Sequence, residues 1–369
     1  MAMRSLFPFC LRNNIPVVFG TDETFAPYTA VALASLAQTA QPQYGYDIWV
    51  VCGKELPLKD KKRLCAAAGK NNNISVRFLS LSRHADAWTK QWRVRENYSP
   101  AIYYRLLLPQ LLKHYDKIIY ADADVLFLQG VEKLFFHPLP QGKLLGGVPD
   151  CLPYGGGETA RRLFLQYVRR IGLKNPFSYI NAGILLWDLK NTREQKMHKR
   201  LLRTLAELKD PLFPDQDTLN IVFQERMELL PFIYNFFARE PDISAACPSK
   251  EAHYLQARRE ASSRPAIVHF ASFVKPWFYP NIPYAKEWWR TARRTPFAQD
   301  IEFSLRRHDQ QMHRRRQRRW FYRAQIYAYK ALNKLPVIEV QGAIARLSER
   351  QQMNDFWAKY RFENHQEGL

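Results

Sequence analysis

The chain is most readily described by what it lacks. No apolar run approaches the roughly 18 residues of a membrane-spanning helix. The opening stretch "RSLFPFCLRNN" has an apolar centre too short, and broken by Pro8, to read as a signal peptide. There are only five cysteines (Cys10, Cys52, Cys65, Cys151 and Cys247), odd in number, scattered, and never arranged as CxxC. That argues against a zinc knuckle and a disulfide framework, and for reduced thiols in a reducing compartment. No internal repeat is visible. Acidic residues are scarce, 34 against 55 Lys and Arg, which leaves a net charge of +21. A balance this basic suits an anionic partner: nucleic acid, a membrane surface, or a phosphorylated substrate. The 369 residues, 47% of them hydrophobic, suffice for a large folded core and exclude a disordered chain.

Short β-branched and apolar runs alternate with helical patterns. "IPVVFGTDETF" reads as a buried strand breaking at Gly20-Thr21-Asp22, and "APYTAVALASLAQTA" as the helix after it. "YDIWVVCG" and "NISVRFLSL" are further strands, separated by the amphipathic helix "PLKDKKRLCAAAG". "PAIYYRLLLPQLL" reads as a helix, and "LLGGVPD", "YINAGILLWDL" and "AIVHFASFVKPW" as later strands with their loops. This alternation predicts an α/β domain with a largely parallel sheet, whose ligands bind at the carboxyl ends of the strands.

The charge is not evenly spread. From Arg306 to Lys334, ten Lys and Arg face one acidic residue, Asp309, interleaved with Trp320, Phe321, Tyr322, Tyr327 and Tyr329. Such a segment fits an anionic bilayer surface, a nucleic acid, or an ordinary solvated helical face.

Chemistry concentrates in "KIIYADADVLFLQG". Asp122 and Asp124, flanking Ala123, are two carboxylates in an apolar run. On an extended strand end they point the same way. Like charges that close repel unless a cation lies between them, and oxygen ligands suit Mg²⁺ or Mn²⁺. A solvated loop pair or a helix cap is the structural alternative. His269 follows an apolar strand and is either a structural histidine or a third ligand, with the phosphate-seeking Lys275 six residues on. Asp22 and Phe25 offer hydrogen bonds and a stacking face to a nucleoside, or Asp22 caps the helix after it. Arg105 in "YYRLLL" calls for an anionic partner, either a carboxylate or a ligand. Asp215 in "FPDQDTLN" is open to a plain N-cap reading.

Taken in order, "FGTDETF", "YYRLLLP", "YADADVLF", "NAGILLWDL", "PDQDTLN" and "HFASFVKPW" resemble the motifs of family 8 glycosyltransferases, retaining nucleotide-sugar enzymes. The resemblance spans Ile15 to Trp277, about 70% of the chain. It implies a GT-A fold, Rossmann-like with a mostly parallel sheet, over residues 1–285; the change of composition after about Trp288 marks 286–369 as a basic, mainly helical extension. It implies that Asp122, Asp124 and His269 hold Mn²⁺, with Mg²⁺ as the alternative. It places Gly20, Thr21, Asp22 and Phe25 at the uridine, Arg105, Asp150, Asn181, Asp215 and Gln216 around the donor sugar, and Lys275 on the diphosphate. Ser272 stands where the family has a glycine close to phosphate. The implied reaction moves galactose or glucose from a UDP-sugar to a lipid-linked saccharide of lipopolysaccharide or lipooligosaccharide core. The implied setting is cytoplasmic, on the inner face of the bacterial membrane through 306–334, with no nucleic acid bound. The rival expectations are a metal-dependent nucleotidyltransferase, for which "YGGGE" at Tyr154–Glu158 lacks the P-loop context, and a basic nucleic-acid-binding protein.

Overall fold

The computed structural model describes residues 7–8, 13–81, 100–154, 157–238, 249–271 and 274–311. Ser272, Cys10, Cys247 and most of the basic segment 306–334 lie outside them. The chain divides into two compact units, 1–302 and 303–369, and in the second the described residues 303–311 are helical.

Among the described residues the first unit has the strands β1 (Asn14–Thr21), β2 (Gly45–Cys52), β3 (Ile74–Ser80), β4 (Lys117–Ala121), β5 (Val125–Phe127), β6 (Leu145–Pro149), β7 (Ile180–Asp188), β8 (Met227–Leu229), β9 (Phe236–Phe237) and β10 (Ile267–His269). The helices are α1 (Ala26–Thr39), α2 (Leu58–Ala67), α3 (Tyr104–Leu111), α4 (Glu132–Phe135), α5 (Gly157–Arg170), α6 (Leu189–Glu194), α7 (Met197–Glu207), α8 (Pro214–Phe223), α9 (Ser249–Ser262) and α10 (Ala285–Ala292).

Seven strands form the central sheet in the order β3-β2-β1-β4-β7-β6-β8. β1 runs parallel to β2 and β4, β2 to β3, and β6 to β8. β7 alone is reversed, antiparallel to both β4 and β6. Val17–Phe19 of β1 and Ile48–Val51 of β2 are continuous apolar runs because both sheet faces are covered, by α1 on one side and by α3 and its neighbours on the other. Trp288 of α10 is buried against Trp277 and Tyr28, so core packing continues past residue 285.

The reversal of β7 decides the geometry of the site. The carboxyl ends of β1, β4 and β6 lie on one edge, and there β7 contributes its amino end, Ile180 to Gly183. A purely parallel reading of "YINAGILLWDL" would place Asn181 at the far edge.

A second, three-stranded sheet, β5-β10-β9, was not legible in the pattern. Its strands are two or three residues long, too short for period-2 alternation to show. It splits "KIIYADADVLF" into β4 in the central sheet and β5 in the small one. Asp122, Ala123 and Asp124 therefore form a turn between the two sheets, not the extended strand end expected from their spacing.

Candidate active site

Asp122 and Asp124 leave β4 on the connector to β5, with Ala123 buried between them. Register brings the histidine: β10 runs antiparallel to β5 with His269 opposite Val125, and the Phe270 N–H donates to the Asp124 carbonyl at 3.0 Å. His269 Nε2 thus sits 3.2 Å from Asp124 Oδ1 and 3.9 Å from Asp122 Oδ2. One ligand atom from each of the three lies within 4.8 Å of the others. Two carboxylate oxygens and one imidazole nitrogen converging this closely fit Mn²⁺ or Mg²⁺.

The remaining carboxylate oxygens are committed elsewhere. Asp122 Oδ1 accepts from Arg105 Nη2 at 2.7 Å and from the Tyr120 hydroxyl at 2.8 Å. Asp124 Oδ2 accepts from Lys275 Nζ, which also donates to the Phe270 carbonyl at 2.6 Å. Each aspartate therefore turns one oxygen to a cationic side chain and the other to the shared centre. Burial pushes the Asp124 carboxyl up, but Lys275 and His269 more than offset this and hold it well below the usual carboxylate range.

Arg105, from the first turn of α3, is almost fully buried. Besides Asp122 it reaches Asp215 Oδ2 at 3.0 Å and the carbonyls of Ala182 and Ile102, with its guanidinium over the Tyr120 ring. Its expected anionic partner is thus two carboxylates. Burial works against its charge, and Asp122, Tyr120 and Asp215 more than restore it. Asp215 does not cap α8. The N-cap is Phe213, whose N–H goes to Asp217, while Asp215 turns inward to Arg105. Burial pushes its carboxyl up, and Arg105 pulls the other way.

Beyond Arg105 the polar groups continue as an amide network. Asn181 Nδ2 donates to Asp150 Oδ2 (3.1 Å) and Gln216 Oε1 (3.2 Å), and Gln216 Nε2 donates to Asp150 Oδ2 (3.1 Å). Gln216 Oε1 also accepts the Ala182 N–H at 2.9 Å. Asp150, Asn181 and Gln216 are brought together as expected, with Arg105 and Asp215 alongside.

On the β1 side, Phe19 pairs with Ala121, so Gly20 and Thr21 end beside Asp122. A Cβ at Gly20 would lie 3.0 Å from the Tyr120 hydroxyl. Thr21 faces inward, its hydroxyl 2.7 Å from that of Thr29. Asp22 accepts the Phe25 N–H at 2.9 Å in a turn ahead of α1 and is not the cap residue, which is Phe25. The Phe25 ring is half-buried, edge-on to Tyr28 and Trp277.

Sequence reasoning missed Tyr120, Asn235 and Asp217. Asn235, just ahead of β9, is buried, with Oδ1 2.9 Å from His269 Nδ1 and Nδ2 3.0 Å from Asn181 Oδ1. Its signal was available: a lone amide inside the aromatic run "FIYNFF". Asp217 accepts from the hydroxyls of Tyr167 and Tyr179.

The mixed α/β sheet thus gathers an Asp-Asp-His cluster, a buried arginine and an amide network at one edge. The sequence profile of glycosyl transferase family 8 matches residues 16–280, and the chain belongs to that family. General stress protein A of Bacillus subtilis is 25% identical over 271 residues, 71% of this chain and 86% of that protein. The lipopolysaccharide 1,2-glucosyltransferase of Escherichia coli is 26% identical over 196 residues, 51% of this chain and 54% of its own length. Among solved structures, the bifunctional glycosyltransferase WbbM superposes with a TM-score of 0.67 at 24% identity, covering 80% of this chain and 52% of that one. The galactosyltransferase LgtC, solved with donor and acceptor sugar analogues, gives a TM-score of 0.60 at 22% identity, with 76% and 96% covered.

Proposed function

We propose that the chain is a retaining hexosyltransferase that moves galactose or glucose from a UDP-sugar to a saccharide of lipopolysaccharide or lipooligosaccharide core. The observation that carries this reading is the convergence of Asp122, Asp124 and His269 within 4.8 Å, each carboxylate steadied by its own cation. In this reading they hold Mn²⁺, with Mg²⁺ as the alternative. A bound divalent ion would neutralise charge on the departing diphosphate. Lys275, whose Nζ donates to Asp124 and to the Phe270 carbonyl, contacts the diphosphate from the protein side. Asp22 and Phe25 border the uridine, and Arg105, Asp150, Asn181, Asp215 and Gln216 hold the sugar.

Retention of the anomer requires either a protein nucleophile or attack from the leaving-group side. Gln216 is a poor nucleophile, and its Oε1 already accepts from Asn181 and from the Ala182 N–H, which occupies both lone pairs. We therefore favour front-face attack, the acceptor proton passing to the departing phosphate oxygen, with Gln216 as a support.

The basic aromatic segment 306–334 attaches the enzyme to an anionic bilayer, at the cytoplasmic face where a lipid-linked acceptor is elongated. Among the described residues no helix is long and apolar enough to cross a membrane.

The decisive experiment presents UDP-galactose, UDP-glucose and their N-acetylated counterparts, with and without Mn²⁺, and measures UDP release. A Mn²⁺-dependent response to one hexose donor is expected, and no turnover with any of them would overturn the reading. Truncation before Arg306 is expected to abolish sedimentation with anionic liposomes while sparing UDP-sugar hydrolysis. Unchanged sedimentation would remove the membrane role.

A further inference from the structure

The direction of every hydrogen bond in the amide network can be deduced from two backbone groups, the Ala182 N–H, which fixes the Gln216 oxygen, and the Gly183 N–H. A backbone N–H only donates, so the Gly183 N–H, 2.9 Å from the terminal atom of Asn181, requires that atom to be the amide oxygen. The Asn235 atom 3.0 Å from the same oxygen must then be its nitrogen, because two acceptors cannot share that contact. It follows that the other end of Asn235, 2.9 Å from His269 Nδ1, is its oxygen, and that Nδ1 carries a proton. With Nδ1 committed to Asn235, Nε2, 3.2 Å from Asp124 Oδ1, is the nitrogen that can turn its lone pair to a cation held there. On the other branch, the Asn181 oxygen has both lone pairs filled by Gly183 and Asn235, which leaves its NH₂ to face Asp150 and Gln216.

We propose that Asn235 is a positioning residue: it transmits the polarity of the β7 backbone to His269, keeping Nε2 open toward Asp122 and Asp124, and locks the Asn181 amide toward Asp150 and Gln216. One buried side chain thus ties the metal-ligand cluster to the sugar-facing cluster. Its backbone is pinned for this task. Phe236 and Phe237 follow it into β9, paired in parallel with Val268 and His269. Gly183 is part of the same arrangement, since a Cβ there would lie 2.2 Å from His269 Cε1. The proposal rests on the reading of Asp122, Asp124 and His269 as metal ligands for its consequence, though not for the tautomer itself.

The test has three arms on the full chain. ¹⁵N spectra of metal-free wild type, with His269 in its neutral form, report which ring nitrogen bears the proton. Nδ1 is expected, and a proton on Nε2 overturns the proposal whether or not metal binds. Mn²⁺ titration followed by electron paramagnetic resonance then compares variants. Asn235→Leu removes both contacts and is expected to weaken Mn²⁺ by about 10–100-fold, as loss of a ligand-orienting partner does. Asn235→Asp keeps an acceptor for Nδ1–H and loses the donor to Asn181. It is expected to hold Mn²⁺ as well as wild type or better, yet to lower kcat by about tenfold or more. Equal Mn²⁺ affinity in wild type and Asn235→Leu, or parallel loss of affinity and kcat in Asn235→Asp, overturns the proposal. Absence of Mn²⁺ binding by wild type would instead strike the metal reading, leaving the spectra to decide the tautomer.

Discussion

His269 Nε2 lies 3.2 Å from Asp124 Oδ1, held there by a strand ladder that sets His269 opposite Val125, the residue after that aspartate. Asp124 also carries Lys275 on its second oxygen. Changing Asp124→Asn removes a carboxylate charge from the Asp-Asp-His cluster and the Lys275 partner at once. Mn²⁺ and UDP affinity are expected to fall by more than the ~10–100-fold typical of losing an outer partner. Chelation of wild type is expected to abolish UDP release. Calorimetric titration of the variant checks the first point, and wild-type affinities for both ligands would sink the metal assignment.

Arg105 is the only partner found among the described residues that neutralises Asp215, and it shares Asp122. Truncation to Ala leaves buried carboxylates without a counter-charge, which costs about 3–5 kcal/mol. Arg105→Lys is expected to recover only part of this, since an ammonium cannot reach Asp122, Asp215 and the Ala182 carbonyl together. Urea denaturation measures both variants. A loss below about 1 kcal/mol in Arg105→Ala would mean that the ion pairs are incidental.

Gln216→Ala is expected to lower kcat by up to about 10²-fold and to leave the product anomer retained. Coupling constants of the purified disaccharide product decide the point. An inverted anomer would refute front-face attack with retention, and unchanged kcat would deny Gln216 any role.

Burial pushes the Asp217 carboxyl up to about 6, against the hydrogen bonds from Tyr167, Tyr179 and the Phe213 N–H that pull it down. The unfolded chain titrates this group near 3.9. The folded state therefore holds the proton more tightly, and the associated stability is present in full below about pH 4 and lost as pH rises through 6. The loss amounts to about 3 kcal/mol. Asn at 217 does not titrate, so the stability of wild type relative to Asp217→Asn should decline between about pH 4 and pH 7. A difference that stays flat over that window contradicts the raised pKa.

Much of this arrangement is legible in the sequence. Six motifs in order, two carboxylates in an apolar run, and a buried arginine needing an anion are local facts of composition and spacing. The alternation of strands and helices likewise announced the α/β sheet. What escaped notice has a common cause. β5 and β9 are too short to show a period, so the small sheet that β10 joins did not show, and Asn235 is one polar residue whose two partners come from β7 and β10, remote in sequence. Asp215 looked like a cap because it follows Phe213-Pro214 at a helix start; that its side chain turns to Arg105 depends on where α3 packs.

The sequence by itself determined which groups are available: oxygen donors at Asp122 and Asp124, an imidazole at His269, amides at Asn181 and Gln216, and enough apolar surface to bury them. Tertiary structure alone decided their relations. The reversal of β7 brings Asn181 to the carboxyl edge, the β10–β5 register sets His269 against Asp124, and two backbone N–H groups orient the amides. Such relations arise from strand order and register, long-range choices made by packing the whole sheet rather than by any local run of residues.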